Sequence, residues 1–157
     1  MVHYRIYIVH QADHNKFNRA SLMNVGFKEA LKDFPWSCLI FHDVDHLPEN
    51  IHHLYTCPDQ PKLMAAAVDK WNYTTLYQAY FGGVVAIRRE HFEAINGVSN
   101  QFWGWGGEDD DMRRRIVRIG LNITKADPLI GRYSTIKHKR APKNPDREKI
   151  LRKVNRR

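Results

Sequence analysis

"WSCLIFHDVDHLPEN", residues 36–50, joins an apolar run directly to a cluster of acids and imidazoles. The run "SCLIF" (37–41) has the length and composition of a buried strand. It ends on His42, Asp43, Val44, Asp45 and His46, with one apolar residue between the acids. In open α/β sheets, ligands collect beyond the carboxyl ends of the strands. In an extended segment, residues i and i+2 point the same way, so Asp43 and Asp45 should face one crevice with Val44 turned into the core. Two carboxylates held that close repel unless a cation sits between or beside them. A merely acidic surface loop is the alternative that this triplet alone leaves open.

The flanking sequence supplies an α/β context. "YRIYIVHQ" (4–11) alternates like a strand, and "NRASLMNVGFKEALKDF" (18–34) carries apolar residues at helical spacing until Pro35 stops it. Three prolines mark 46–62 as a loop. "KLMAAAVD" (62–69), "FGGVVAIRRE" (81–90) and "LNITKA" (121–126) are read as strands. "REHFEAING" (89–97), "EDDDMRRRIVRIG" (108–120) and "NPDREKILRKVN" (144–155) are read as helices. In the second of these the acids precede the arginines, the order that suits the helix dipole. Strands alternating with helices predict an α/β fold with a mainly parallel sheet flanked by helices.

At 157 residues and 43% hydrophobic content the chain can build one core. No apolar run approaches the roughly 20 residues of a membrane helix, and the first residues, "MVHYRIYIVHQADH", carry no signal-peptide pattern. The formal net charge of +8 is confined to one end: residues 132–157 sum to +9 and residues 1–131 to −1. A solvated helix accounts for this basic tail. A polynucleotide or an anionic membrane could also draw on it, but it lacks the interleaved aromatics that stack on bases. Cys38 and Cys57 are too few to define a disulfide framework by counting, and a reduced pair is equally compatible. Asn72 and Asn122 each open a glycosylation triplet, which matters only in a secretory compartment.

"FWGWGGEDDD" (102–111) sets two tryptophans among three glycines, immediately before four acids. An indole between glycines can lie flat against the C–H face of a sugar. One of Trp103 and Trp105 is expected in the core. Two acids would satisfy a helix N-terminus; four raise one another's pKa, which suits a base that takes a proton from a hydroxyl. "STIKHKR" (134–140) adds His138, which could close a metal site with the two aspartates.

These blocks, with "FNRA" (17–20), "NVGFKEALKD" (24–33), "VDK" (68–70), "YFGGV" (80–84) and "ING" (95–97), resemble the beta-1,4-galactosyltransferase family, in order from about residue 4 to His138. The resemblance implies a GT-A fold, an α/β sandwich around a nucleotide-binding sheet. It implies inverting, metal-dependent transfer of galactose from UDP-galactose to the 4-hydroxyl of a terminal GlcNAc or glucose. Carried over by position, Asp45 and His138 match metal ligands for Mn²⁺. Asp109 matches the catalytic base, with Glu108 beside it. Phe17, Arg19, Asp43, Val44, Lys70, Tyr80, Gly83 and Trp105 match nucleotide-sugar contacts. Tyr77, Gly106, Gly107 and Asp110 match acceptor contacts. Cys38 and Cys57 match a disulfide pair. A tyrosine at position 80 goes with UDP-galactose, whereas leucine or isoleucine there goes with the N-acetylated donor.

Three departures accompany the resemblance. Where many members have a methionine ligand three residues before the metal histidine, this chain has Thr135, which makes Mg²⁺ compatible as well. The upstream Pro-Phe-Arg-Asn-Arg stretch that grips uridine, and the anchor and stem of these type II Golgi membrane proteins, have no counterpart in the 157 residues. The expectation is a partial, N-terminally truncated catalytic domain over 1–140, a basic C-terminal helix or tail over 141–157, and a full-length protein in the Golgi lumen. An inactive sugar- or nucleotide-binding fragment and a UDP-GalNAc transferase are the alternatives within the family. No nucleic-acid partner is expected.

Overall fold

The computed structural model describes residues 3–139 and 141–155. Helix α1, Arg19–Asp33, starts where the Asn18 side chain accepts a hydrogen bond from the backbone N–H of Ser21 at 2.9 Å. Strands β1 (Cys38–His42) and β2 (His46–Pro48) follow. Next come β3 (Lys62–Leu63), β4 (Ala67–Val68) and β5 (Val84–Arg88), then α2 (Arg89–Ala94) and α3 (Glu108–Arg118). Strands β6 (Thr124–Lys125) and β7 (Arg132–Thr135) precede the last helix, α4 (Arg147–Val154). Among the described residues no helix is long and apolar enough to cross a membrane.

The strands form two sheets, ordered β1-β5-β3-β6 and β2-β7-β4. The α/β class holds, but the expected predominance of parallel pairing does not. β1–β5, β3–β5 and β2–β7 are antiparallel, and only β3–β6 and β4–β7 are parallel. Parallel neighbours need a long crossover, usually a helix, and no α-helix lies between β1, β3 and β5. Here α2 and α3 follow β5, and the chain returns as β6 beside β3.

Strand β5 explains why "VVAI" is apolar without a break. Val85 and Ile87 enter one core with Leu39, Leu63, Phe92, Met112 and Ile116, under the helices. Val84 and Ala86 enter a second core with Met64, Val68 and Tyr133. Alternate side chains leave opposite faces of a strand, so a strand covered on both faces is apolar throughout.

Three local expectations are corrected. Residues 4–11 are not a strand: among the described residues the segment pairs with no neighbour, and Tyr4, Ile6 and Ile8 are exposed. Alternation gives an extended backbone; a strand also needs a partner ladder. The segment is held instead by Arg5 and Tyr7 on the Asp33 carboxylate and by Val9, which fills the space where Gly26 of α1 has no Cβ. Val44 is not in the core but 88% exposed, because Asp43–His46 is a turn closed by His46 N–H to Asp43 C=O at 3.1 Å, so the two-residue alternation does not apply. Neither Trp103 (42% exposed) nor Trp105 (48%) is core. Phe102 takes that place, its ring lying where Gly107, at φ +102°, carries no side chain.

Helix α4 packs on α3. Leu151 is buried, Asn155 Nδ2 donates to Asp111 Oδ1 at 3.0 Å, and Arg118 Nη2 donates to the Asn155 carbonyl at 2.7 Å. Cys38 and Cys57 are disulfide-bonded, with Cα atoms 5.5 Å apart. The bond ties the start of β1 to the far end of the loop that follows β2.

Candidate active site

The end of β1 delivers the two aspartates. The backbone N–H of Asp43 donates to the Gly83 carbonyl at 2.9 Å, and that of Ile136 donates to the Asp45 carbonyl at 2.9 Å, so both sheets hold the turn. Asp45 Oδ1 lies 2.8 Å from His46 Nδ1, and Asp45 Oδ2 lies 3.4 Å from His138 Nε2 and 3.7 Å from Lys70 Nζ. Burial pushes the Asp45 carboxyl up, but the hydrogen bond from His46 and the charges of His46, Lys70 and His138 outweigh it and hold the group below the usual carboxylate range. Donor atoms of Asp43, Asp45 and His46 all lie within 4.8 Å of one another. Hard oxygens with imidazole suit a divalent ion of the Mn²⁺ kind. Thr135 is not turned to this cluster: its hydroxyl donates to Asp69 Oδ1 at 2.7 Å.

The four acids opening α3 have separate surroundings. Asp111 is fully buried and accepts from the Ser99 N–H (3.0 Å), Arg115 Nε (2.8 Å) and Asn155 Nδ2 (3.0 Å); it anchors the helix. Asp110 accepts from the Tyr77 hydroxyl at 2.8 Å. Glu108 is buried, stands 3.7 Å from Arg19 Nη1 and leaves Oε2 without a partner among the described residues. Asp109 accepts from Arg19 Nη1 at 2.7 Å and keeps 23% of its side-chain surface open. Burial pushes the Asp109 carboxyl up to about 8. Arg19 opposes that rise, while Glu108, Asp43 and Asp110 add to it. Burial also raises Glu108.

Arg19 joins the two carboxylate groups. It projects from the first turn of α1, and while Nη1 serves Asp109, Nε donates to Asp43 Oδ1 at 2.7 Å. The glycine pair before β5 makes room for this arrangement. A methyl group at Gly82 would overlap Asp109 Oδ2 and stand 2.8 Å from the Tyr80 hydroxyl. Gly83, at φ +71°, leaves the space taken by His46 Nε2.

The structure thus brings together Arg19, Asp43, Asp45, Lys70, Gly83, Glu108, Asp109 and His138. Tyr80 is buried beside them, its ring edge-on to Trp71 (5.2 Å) and Tyr77 (5.5 Å). Trp105 lies exposed under the tail: its carbonyl accepts from the Asn144 N–H at 3.0 Å, and Lys143 Nζ stands 6.0 Å from the ring centroid. Gly106 lies against the Arg147 side chain, and Gly107 caps α3. Phe17 is 54% exposed, and its carbonyl accepts from the Gly104 N–H at 2.7 Å. Val44 projects to solvent next to the aspartates, and Asn72 and Asn122 are exposed. Sequence reasoning missed Gly82 and His46. The one signal for His46 was its position beside Asp45; nothing local marks Gly82 as the neighbour of Asp109.

A two-sheet α/β fold, with an acidic turn at the end of a strand and a carboxylate-headed helix across the crevice, defines a GT-A-type glycosyltransferase domain. The comparisons agree. Residues 1–58 match the profile described as the N-terminal region of glycosyl transferase group 7, and residues 62–139 that described as the N-terminal domain of galactosyltransferase. Beta-1,4-galactosyltransferase 4 of Cricetulus griseus is 49% identical over 156 residues, 98% of this chain and 45% of that protein. Beta-1,4-galactosyltransferase 1 of Bos taurus is 46% identical over 141 residues, 90% of this chain and 35% of that protein. The solved catalytic domain of Drosophila beta-1,4-galactosyltransferase 7 in complex with xylobiose superposes with a TM-score of 0.79 at 35% identity, over 95% of this chain and 66% of that one. A mutant of the same enzyme, in complex with manganese, UDP-Gal and xylobiose, superposes equally well at 34% identity. The chain belongs to the beta-1,4-galactosyltransferase family. It spans less than half the length of these curated relatives.

Proposed function

We propose that this chain carries the catalytic site of a metal-dependent enzyme that transfers galactose from UDP-galactose to the 4-hydroxyl of a terminal GlcNAc or glucose, with inversion. One observation carries the reading: Asp109, a carboxylate raised toward neutrality, is held 2.7 Å from the same guanidinium that holds Asp43 at 2.7 Å, so a base and a donor site share one crevice.

In this reading Asp45 and His138 hold Mn²⁺, and Mg²⁺ is also compatible because Thr135 offers no soft ligand. The ion, when bound, neutralises charge on the departing diphosphate. Asp43 and Arg19 orient the nucleotide, with Phe17, Val44, Lys70, Gly83 and Trp105 completing the donor side. Tyr80 closes the space beside the sugar's 2-position and so favours galactose over its N-acetylated counterpart. Tyr77 and Asp110, with Gly106 and Gly107, receive the acceptor. The acceptor oxygen attacks the anomeric carbon from the face opposite the diphosphate. The bond from that carbon to the diphosphate breaks, UDP leaves with the electron pair, and the acceptor proton passes to Asp109, with Glu108 beside it. Asn72 and Asn122 are exposed glycan acceptors in this reading. The Cys38–Cys57 disulfide suits an oxidising lumen such as the Golgi's.

The test is galactose transfer to a GlcNAc acceptor with Mn²⁺, for a protein that includes this chain, using both UDP-galactose and UDP-GalNAc. The parent is expected to use UDP-galactose, Tyr80→Leu to gain UDP-GalNAc transfer, and Asp109→Asn to lose about 10²–10⁴-fold in rate with donor binding little changed. Equal use of both donors by the parent sinks the donor assignment, and an unaltered rate in Asp109→Asn sinks the base.

A further inference from the structure

His46 follows Asp45 directly, and its side chain is 1% exposed. Nδ1 lies 2.8 Å from Asp45 Oδ1. A carboxylate only accepts hydrogen bonds, so the ring proton is on Nδ1. The ring cannot turn freely. On its far side Nε2 has no hydrogen-bond partner among the described residues and lies 2.9 Å from where a Cβ would stand on Gly83. Tyr133 meets the ring edge-on with centroids 6.2 Å apart, and on the sheet His46 is the register partner of Thr135. One oxygen of Asp45 is therefore committed to an imidazole locked by its surroundings. The other, Oδ2, faces His138 Nε2 at 3.4 Å and Lys70 Nζ at 3.7 Å.

We infer that His46 is a positioning residue of the cation site: its Nδ1–H holds Asp45 Oδ1, so that Oδ2 alone is presented to the ion beside His138. This rests on the assignment of Asp45 and His138 as ligands. The arrangement is that of a histidine–carboxylate pair in which the carboxylate binds the metal and the histidine sets its orientation. The register explains why the position suits a histidine. Thr135, its neighbour across the sheet, spends its hydroxyl on Asp69, so neither β2 nor β7 otherwise supplies a donor to Asp45 Oδ1. Direct ligation by His46 would require Nδ1 to give up its proton and its bond to Asp45, and Nε2 is turned toward Gly83.

The experiment is a Mn²⁺ titration of the full chain without substrate, followed by loss of the free-ion electron paramagnetic resonance signal. Parent, Asp45→Asn, His46→Leu and His46→Asn are compared, and folding is checked by circular dichroism. His46→Leu is expected to weaken Mn²⁺ by about 10–100-fold. His46→Asn, whose side-chain N–H can stand near the Nδ1 position, is expected to recover most of that loss. Nitrogen modulation of the bound Mn²⁺ signal should persist in His46→Leu and vanish in His138→Ala. Parent-like affinity in His46→Leu, with binding lost in Asp45→Asn, overturns this inference and leaves the Asp45 assignment standing. Parent-like affinity in Asp45→Asn, or no Mn²⁺ binding by the parent, overturns both. Loss of nitrogen modulation in His46→Leu makes His46 a ligand and overturns the positioning role. Should His46→Leu not fold, His46→Gln decides: its amide reaches the Nε2 position and not Nδ1, so weak binding is expected and parent-like affinity refutes the inference.

Discussion

Arg19 Nη1 donates to Asp109 Oδ1 at 2.7 Å, linking the first turn of α1 to the first turn of α3. The same side chain is only 18% exposed and also serves Asp43. Taking one partner from a largely buried ionic group leaves the others uncompensated, at a cost of about 3 kcal/mol or more. Arg19→Met should therefore lower the melting temperature far more than a surface substitution, and adding Asp109→Asn should restore part of the loss. Thermal unfolding of the two single variants and the double variant reads the coupling directly. Additive effects would mean that the Arg19–Asp109 contact does not bear on stability.

Asp109 makes stability depend on pH. Its folded-state value of about 8 lies above the ordinary 3.8, so the folded chain keeps a proton that the unfolded chain has released. The resulting stabilisation is complete below about pH 4 and is lost as pH rises through about 8. Urea unfolding from about pH 5 to about pH 9 should show a decline that is shallower in Asp109→Asn. The parent's transfer rate should rise over the same range as the base ionises. Parallel stability profiles for parent and variant would contradict the raised pKa.

Gly82→Ala should cut activity by about 10²-fold while leaving the fold. The added methyl would occupy the position of Asp109 Oδ2, so the carboxylate must rotate away from Arg19. A misplaced base costs on the order of 10²-fold in rate. Steady-state kinetics beside a circular dichroism spectrum test this, and parent-like turnover would show that Asp109 tolerates the shift.

The Cys38–Cys57 bond closes the loop that carries Asp43, Asp45 and His46, with a sequence separation of 19. The chain-entropy model assigns such a closure about 3 kcal/mol. The double Cys→Ser variant, or the parent under a strong reductant, should unfold at correspondingly lower denaturant. An unchanged midpoint would mean that local packing already holds the loop.

Much of this site was legible along the chain because its parts are contiguous. Asp43-Val44-Asp45 and Glu108 to Asp111 each announce a charge cluster that folding must compensate, and the helices were legible from period and breakers: Pro35 after α1 and Gly120 after α3. What could not be read locally depends on partners far away in the chain. Residues 4–11 have the alternation of a strand and, among the described residues, no neighbour to complete one. Val44 alternates correctly but sits in a turn. The direction of β5 against β1 was decided by the chain between them, which makes β2, β3 and β4 and no α-helical crossover. The four acids of α3 look alike in sequence, yet Arg19, Tyr77 and Asn155 give Asp109, Asp110 and Asp111 different surroundings, and those partners come from elements distant in sequence. Burial and charge act through space and not along the chain. The sequence alone therefore determined which chemical groups are present and how they cluster; tertiary packing decided which carboxylate is raised, which is anchored, and that Gly82 and His46 stand against them.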